Sequence, residues 1–386
     1  MDPNQLFLIP SDEIDTRIAK VTAEMKADGA DSILIADNAN KYYITGRVFA
    51  GWLTVSSSGK VHAWVRRPVT LHGDNISFVR KPEEITFDGD VIGLEFATLT
   101  AADFLRISAI IQGKPTANAS AIMRRARATK TPYEIQRIAE SGLRHDAVYR
   151  SVPSLFRDGM TDIDLQIEIE RELRKAGCLG QFRISGDSME LFMGNILVGD
   201  NADNPTPYDF AMGGAGAHPS LPVGANGSLI ADGSSVMVDA NGNFTGYMTD
   251  MTRTFARGTI ADLAIRAHDC SIAICNRLAS IGVPGVKAAT LYEEAVAMAS
   301  EAGLADFFMG HRQHAGFIGH GVGIEINEAP VIAPRSKDII QEGNVIALEP
   351  KFVIPGTGAV GIENTYVVRP NGMQCLTLSP QEILPL

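Results

Sequence analysis

The stretch VMVDANGNFTGYMTDMTRTFARG, residues 236–258, carries the strongest structural signal in this chain. It places Asp239 and Asp250, eleven residues apart, on two β-like runs that a polar, glycine-containing turn separates. The lead-in LIADGSSVMVDA, which ends just after Asp239, has a counterpart in IIQEGNVIALEP, residues 339–350. In both copies an apolar pair, an acid and a glycine precede the key carboxylate, with the glycine six residues ahead of Asp239 and of Glu349. The repeated pattern predicts a duplicated hairpin that carries carboxylates.

A second acid follows in each copy, Asp250 in the first and Glu363 in the second. Packing alone does not explain acids in apolar β surroundings, because burying an ionised carboxylate without a partner costs on the order of 5 kcal/mol. We therefore expect a positively charged group between the two hairpins.

An imidazole stands between the two copies. The segment FIGHGVGIEINEAP, residues 317–330, holds His320 between two glycines, where the backbone can approach a site closely. A lone histidine is a structural, buried residue in roughly two cases of three, but four suitably placed acids reverse that balance. The candidate metal ligands are Asp239, Asp250, His320, Glu349 and Glu363.

This donor set combines four carboxylates with one imidazole. It is too acidic for a closed structural zinc site, and sites of this composition accept Mn²⁺, Co²⁺, Fe²⁺ or Zn²⁺. The carboxylates carry a charge of about −4, which two divalent ions balance and one ion does not. The predicted cofactor is therefore a pair of divalent metal ions.

Length and composition favour two domains, because 386 residues exceed the usual domain size of roughly 150 and 45% of them are apolar. Helical spacing over residues 12–28 is followed by short β runs at 61–67 and 91–96, which is typical of a compact α/β unit. Long helical periodicity then takes over. We place the domains at residues 1–121 and 122–386.

The second domain contains an internal repeat. GMTDIDLQIEIERELRKAG (159–177) and GVKAATLYEEAVAMASEAG (285–303) are glycine-bounded helical segments of equal length, and each precedes one acid hairpin. Repeats of a helix plus a hairpin predict two α/β halves that face each other, with the acids meeting at the pseudo-symmetric centre.

These motifs resemble a known family. VMVDANGNFTGYMTDMTRTFARG, GHGVGIEINEAP, ALEP and VGIENTYVV are similar to motifs of the creatinase/aminopeptidase "pita-bread" superfamily, and most of all to its Xaa-Pro dipeptidases and aminopeptidases. The early segment DTRIAKVTAEMKADGADSILIADNANKYYITG resembles the creatinase/prolidase-type N-terminal domain, so the likeness spans almost the whole chain. The resemblance implies an α/β (α+β) fold: an N-terminal domain over 1–121 and a pseudo-two-fold pita-bread catalytic domain over 122–386.

The resemblance also implies roles for the ligands. Asp239 would chelate one metal, Asp250 and Glu363 would bridge both, and His320 with Glu349 would complete the second. Water or hydroxide between the ions would attack an amide carbonyl, since paired cations lower its pKa and polarise the substrate oxygen. Glu349 would pass the proton to the leaving nitrogen.

Two positions depart from the family pattern. Peptidase members carry a His in a Pro-His pair where this chain has Val223, and a second His where it has Asn327. Asn327 can donate a hydrogen bond to an oxyanion, worth roughly 3 kcal/mol, but it cannot transfer a proton. His218 is a candidate substitute, at even odds with an exposed loop histidine of no role, and His314 is a weaker one.

Three functions follow in order of preference. The first is a dinuclear metal-dependent hydrolase that cleaves an amide, most simply as an Xaa-Pro dipeptidase or aminopeptidase. The second keeps the metals but acts on a non-peptide small molecule, as an amide hydrolase or a β-elimination lyase, because Val223 and Asn327 replace the usual imidazoles. A non-catalytic binding protein ranks last, since all five ligands are present, and a metal-free creatinase-like hydrolase is disfavoured for the same reason.

The net charge favours a small or peptide-like ligand, and the resemblance implies that it is a peptide or small amide substrate. The net charge of −11 argues against nucleic acid and anionic membranes, and glycine and proline break the longest uncharged stretch. Residues 1–17 lack the features of a secretory signal, so a cytoplasmic protein is expected. The resemblance implies a homodimer with Trp52 and Trp64 as candidate contacts, although a core role is roughly three times as common for such residues.

Overall fold

The computed structural model describes residues 2, 4–184, 193–208 and 212–386. These divide into two compact units, Met1–Arg127 and Ala128–Leu386. The position predicted for the domain boundary, between residues 121 and 122, lies within a helix that spans Ala119–Ala128.

The first unit is built around one mixed sheet with the strand order β4-β3-β2-β1-β5-β6. Its helices and strands are α1 (Ser11–Ala27), β1 (Ser32–Ile35), α2 (Asn38–Thr45), β2 (Ala50–Ser56), β3 (Val61–Arg67), β4 (Ile76–Phe78), β5 (Ile92–Leu94), α3 (Ala101–Ile110), β6 (Thr116–Asn118) and α4 (Ala119–Ala128), with a 3₁₀ turn at Pro82–Glu84. The helix predicted over 12–28 and the strand predicted over 61–67 are confirmed. Gly29 follows α1 with φ +68°, a left-handed conformation that suits glycine and ends the helix.

Both tryptophans lie in this sheet. Trp64 is 8% exposed, packs in the apolar core and donates its ring N–H to Thr54 Oγ1 at 3.0 Å. Trp52 is half-buried and packs against the same core. The core role that the sequence analysis weighed more heavily therefore accounts for Trp64.

The second unit begins with helices that pack on a hairpin. Its first half comprises α5 (Pro132–Tyr149), α6 (Val152–Leu155), α7 (Asp162–Lys175), β7 (Gly194–Val198), a 3₁₀ turn at Gly199–Asp203, β8 (Ser235–Asn243) and β9 (Met248–Ala256). Thr131 and Glu134 form a capping box at the start of α5, with Pro132 in its first turn. Strands β8 and β9 pair along their full length, so the first predicted carboxylate hairpin is confirmed.

The second half also has helices followed by a hairpin, but the strands of this hairpin are interrupted. It comprises α8 (Asp262–Ile281), α9 (Ala288–Glu301), a 3₁₀ turn at Ala305–Phe307, β10 (Gly319–Gly321), β11 (Glu328–Ile332), β12 (Val345–Leu348), β13 (Lys351–Ile354), β14 (Gly358–Gly361), β15 (Asn364–Arg369), β16 (Gly372–Cys375) and β17 (Leu384–Pro385). Strand β12 pairs with β15, and β13 pairs with β14. The ladder breaks at residues 349–350 and 362–363, where Pro350 offers no N–H. Both candidate glutamates stand at these breaks.

The second unit has an apolar core in each half. One packs α5 and α7 on β7, β8 and β9, and the other packs α8 and α9 on the five-stranded sheet β11-β10-β12-β15-β16. The predicted helix-plus-hairpin halves are therefore present. No helix of the described ranges combines the length and apolar character needed to cross a bilayer.

Candidate metal centre

The donor residues come from three strands and from two breaks between strands. Asp239 lies on β8 and Asp250 on β9, His320 lies on β10, and Glu349 and Glu363 occupy the two breaks of the second hairpin. The two hairpins meet here, because the backbones of Thr252 and Glu363 exchange hydrogen bonds at 3.1 and 3.3 Å.

These residues form two overlapping groups. Ligand atoms of Asp250, His320 and Glu363 lie within 4.8 Å of one another, and so do those of Asp239, Glu349 and Glu363. Glu363 is common to both groups, whereas Asp250, the other residue that the resemblance made a bridge, falls only in the group with His320. Glu349 falls in the group with Asp239, whereas the resemblance had paired it with His320. Its Oε1 nevertheless lies 3.4 Å from His320 Nε2.

A cation is already present in the second group. The Lys351 Nζ lies 2.8 Å from Asp239 Oδ2, 2.8 Å from Glu349 Oε2 and 3.2 Å from Glu363 Oε2. The lysine side chain is fully buried. The sequence analysis missed this residue, although a lysine two positions after Glu349, at the start of the apolar run FVI, was an available signal.

The two oxygens of Glu363 have different surroundings. Oε2 accepts hydrogen bonds from Thr252 Oγ1 at 2.8 Å and from Lys351 Nζ at 3.2 Å. Oε1 is buried and has no hydrogen-bond partner among the described residues. An acceptor left in this way is costly unless a cation or a proton satisfies it.

Burial and mutual repulsion raise the pKa of two carboxyl groups. Burial, followed by the charges of Glu363, Asp239 and Glu349, raises the pKa of Asp250 well above its usual value. Burial and the charge of Glu349 raise the pKa of Glu363 to about 8. The four carboxylates are therefore short of positive charge without a metal, even with Lys351 in place.

Opposite charges outweigh burial at Glu349, Lys351 and His320 and shift the pKa of each toward its charged form. Burial alone would raise the pKa of Glu349, but the Lys351 ammonium and a hydrogen bond from His320 lower it to about 2. Burial opposes the charged form of Lys351, yet the three adjoining carboxylates raise its pKa well above the usual value. Contact with Glu349 likewise outweighs burial and raises the pKa of His320.

The side chains present fit one divalent cation better than two. Asp250, His320 and Glu363 offer two oxygens and one nitrogen to an ion. Glu363 also has an oxygen, Oε1, with no hydrogen-bond partner among the described residues. The oxygens of the other group already surround an ammonium, which competes with the second ion of the predicted pair.

Residues 136–370 match the model of metallopeptidase family M24, and residues 17–129 match that of the creatinase/prolidase N-terminal domain. The chain belongs to metallopeptidase family M24. The predicted fold, a creatinase/prolidase-type N-terminal domain followed by a pita-bread domain, and the predicted class of metallopeptidase-like enzyme are confirmed.

The relatives of this chain match it over different shares of its length. The uncharacterized peptidase YqhT of Bacillus subtilis is 27% identical over 376 residues, which is 93% of this chain and 96% of that protein. The Xaa-Pro dipeptidase of Pyrococcus furiosus is 32% identical over 171 residues, 44% of this chain and 47% of that protein. The solved prolidase of Pyrococcus horikoshii OT3 has the same fold, with a TM-score of 0.79 at 21% identity and coverage of 95% of this chain and 99% of that one.

The further catalytic candidates lie in varied surroundings. His218 is exposed, and its Nδ1 lies 2.8 Å from Ser220 Oγ and accepts the Ser220 N–H. No contact of the described residues joins His218 to the candidate metal ligands. His314 is also exposed and bonds the Phe308 carbonyl. Val223 is fully buried, and Asn327 is half-buried just before β11. The contacts described for these four residues do not place an imidazole at either of the two positions where the family pattern has a histidine.

Two charged neighbours have structural roles. Arg253 is buried and braces the hairpin junction by donating hydrogen bonds to the carbonyls of Thr252 and Glu363. Glu328 is buried, accepts two backbone N–H groups and pairs with Lys130 at 3.0 Å. Both residues support the fold around the candidate metal centre.

Proposed function

We propose that this member of family M24 is a metal-dependent amide hydrolase, with peptides that carry proline after the scissile bond as its first substrate class. The observation that carries the proposal is the convergence of Asp250, His320 and Glu363 from both halves of the second unit, with one glutamate oxygen left unpartnered. The Xaa-Pro dipeptidase named among the relatives supports the choice of substrate.

Asp250, His320 and Glu363 would hold the metal. A bound divalent ion would polarise the substrate carbonyl and lower the pKa of an attacking water. Glu349 adjoins this group through His320 and stays ionised at neutral pH, the form in which a carboxylate accepts a proton. Asn327 would donate a hydrogen bond to the developing oxyanion, as the sequence predicted.

A second function is favoured by the residues that replace the family imidazoles. Val223 is a buried apolar side chain, and the contacts of the exposed His218 are with Ser220. Proton transfer to a poor leaving group such as an amide nitrogen would then depend on Glu349 alone. A non-peptide substrate with a better leaving group, cleaved by hydrolysis or by β-elimination, makes smaller demands on such a centre.

Proline release discriminates between the two functions. The protein is loaded with Mn²⁺ or Co²⁺ and assayed on a panel of Xaa-Pro dipeptides and Xaa-Pro-Xaa tripeptides. We expect turnover that falls at least about 100-fold in Glu349→Gln, the usual effect of removing a proton-transfer group. Glu342→Gln, an exposed acid ahead of β12, is the matched control and should keep wild-type turnover. Bound metal without release of proline from any peptide would favour the second function.

The assembly and location of the protein remain predictions. We propose a homodimer, as the resemblance implies, and a cytoplasmic location. Light scattering at micromolar concentration tests the first, and a monomer mass would contradict it. Binding without catalysis ranks last, because the donor side chains are all present and converge.

A further inference from the structure

Lys351 lies at the position that a second metal ion would need. Its Nζ contacts one oxygen each of Asp239, Glu349 and Glu363, at 2.8, 2.8 and 3.2 Å. The same three residues form the second candidate ligand group. A metal ion there would stand about 2.0–2.2 Å from carboxylate oxygens. The ion and the ammonium would therefore claim the same oxygens and the same space, with charges of the same sign.

Moving the Lys351 ammonium out of this position would cost free energy. Its side chain is fully buried, and its backbone is fixed in β13, where Lys351 pairs with Gly361 across to β14. An ammonium has three N–H donors, and here each has a carboxylate acceptor. Moving it aside would place an unpaired charge in the interior, which costs several kcal/mol.

The first group has no such occupant. Ligand atoms of Asp250, His320 and Glu363 lie within 4.8 Å of one another. Among the described residues, the ion pairs of Lys351 are with Asp239, Glu349 and Glu363 and not with Asp250 or His320. Thr252 and Lys351 hold Oε2 of Glu363, which leaves the buried Oε1 without a partner. This oxygen is the acceptor that an ion between the three residues would satisfy.

We propose that the Lys351 ammonium is a built-in substitute for one of the two metal ions, so that the centre binds a single divalent ion between Asp250, His320 and Glu363. This inference rests on the proposed function only in requiring that the centre bind a metal at all. The lysine supplies one positive charge where an ion would supply two, and the loaded centre is one charge more negative than a dinuclear one.

Metal stoichiometry of the full chain tests the proposal directly. Wild-type protein is dialysed against excess Mn²⁺, freed of unbound ion and analysed by inductively coupled plasma mass spectrometry. We expect one ion per chain and a mononuclear Mn²⁺ electron paramagnetic resonance spectrum. Two ions per chain with the exchange coupling of a pair about 3.5–4 Å apart would overturn it. This measurement needs no variant and is unaffected if a variant fails to fold.

Variants then locate the ion and assign the cause. Lys351→Ala removes the ammonium and should raise the content from one ion to two, with exchange coupling appearing. Lys130→Ala is the matched control, because Lys130 is also buried and paired with a carboxylate but lies outside the donor set, and it should keep one ion. Asp239→Asn should retain the ion, whereas Asp250→Asn should lose it. An ion that follows Asp239 rather than Asp250, or a folded Lys351→Ala with one ion, would contradict the proposal.

The outcomes separate this inference from the proposed function. Two ions in the wild type with peptide turnover would leave the function standing and remove the inference. One ion with no turnover of any amide would leave the inference standing and remove the proposed function. No ion under saturating Mn²⁺ would reject both.

Discussion

At the scale of single residues, the candidate metal centre places four carboxyl groups around the single ammonium of Lys351. Lys351 ties down one oxygen each of three acids, while Glu363 Oε1 remains unpartnered. As a consequence, chemically similar carboxyl groups have very different pKa values. Glu349, between Lys351 and His320, has its pKa lowered to about 2, whereas burial and the charge of Glu349 raise the pKa of Glu363 to about 8. Burial, the Lys351 ammonium and the His320 imidazole together set these two pKa values apart.

A buried histidine behind the hairpin makes stability depend on pH. His145 lies on α5, its Nδ1 is 3.1 Å from Thr249 Oγ1, and its Nε2 has no partner among the described residues. Burial, with the charge of Arg253 as a smaller cause, lowers the pKa of His145 from 6.5 to about 3. Between these values the unfolded chain binds a proton that the folded chain does not. Stability therefore falls as the pH drops below about 6.5.

We expect His145→Phe to remove this contribution. In metal-free protein, the free energy of unfolding of the wild type should fall between pH 7.5 and pH 5 by about 2 kcal/mol more than that of His145→Phe. Urea denaturation at both pH values measures the difference. His218→Gln, at an exposed histidine, is the control and should keep the wild-type slope. Equal slopes for wild type and His145→Phe would show that His145 does not carry the effect.

At the scale of elements, helix α5 clamps the first hairpin at the level of its two aspartates. Ala240 and Met251 face each other across β8 and β9, one residue beyond Asp239 and Asp250 respectively. The Tyr149 hydroxyl lies between them, accepting the Ala240 N–H at 2.9 Å and donating to the Met251 carbonyl at 2.6 Å. The side chain is 1% exposed. One hydroxyl thus satisfies a donor and an acceptor of the hairpin and fixes the spacing of its strands.

Tyr149→Phe should loosen this clamp. The change leaves a buried N–H and a buried carbonyl without the hydroxyl, so we expect a loss of about 1–3 kcal/mol in the free energy of unfolding, with weaker metal binding. Urea denaturation and a competitive chelator titration measure the two effects. Tyr292→Phe, at a half-buried tyrosine on α9, is the control and should stay within about 0.5 kcal/mol. A neutral Tyr149→Phe would mean that the two strands pair without help from α5.

At the scale of the whole molecule, the second unit is two helix-plus-hairpin halves joined through their acids. Each half has its own apolar core, and the hairpins exchange backbone hydrogen bonds between Thr252 and Glu363. The junction therefore carries both the structural contact and the repelling carboxylates. A cation at this point stabilises the union of the halves, because metal binding to such a site is also folding free energy.

Metal removal should lower the thermal stability of the whole chain. At an ion concentration of 100 times Kd, binding contributes about 2.7 kcal/mol, which corresponds to a rise in Tm of roughly 5–10 °C for a unit of this size. Differential scanning calorimetry of the Mn²⁺-loaded and EDTA-treated protein measures the shift. Asp250→Asn should show almost none. An unchanged Tm in the wild type would mean that the donor set binds the ion weakly or not at all.

Much of the fold could be predicted from local pattern. The helical spacing of 12–28, the capping signals at Thr131 and Pro132, and the acid hairpin at 236–258 all depend on neighbours close in sequence, which a single chain displays directly. The second hairpin was predicted less well. Its ladder is interrupted at 349–350 and 362–363, and pairing between segments far apart in sequence decides where those breaks fall.

The candidate site also has features that local sequence predicts and features that only the tertiary structure decides. The sequence by itself determined the types and order of the five donors, because their repeated lead-ins and flanking glycines are local features. Only the tertiary structure decided that Lys351 turns its ammonium into the Asp239 group, and that His218 lies exposed against Ser220. A lysine in a strand can face either of two sides, and the choice depends on which carboxylates the opposite half brings to it. The contact between Lys351 and Asp239 joins residues more than a hundred positions apart, so local sequence does not predict it.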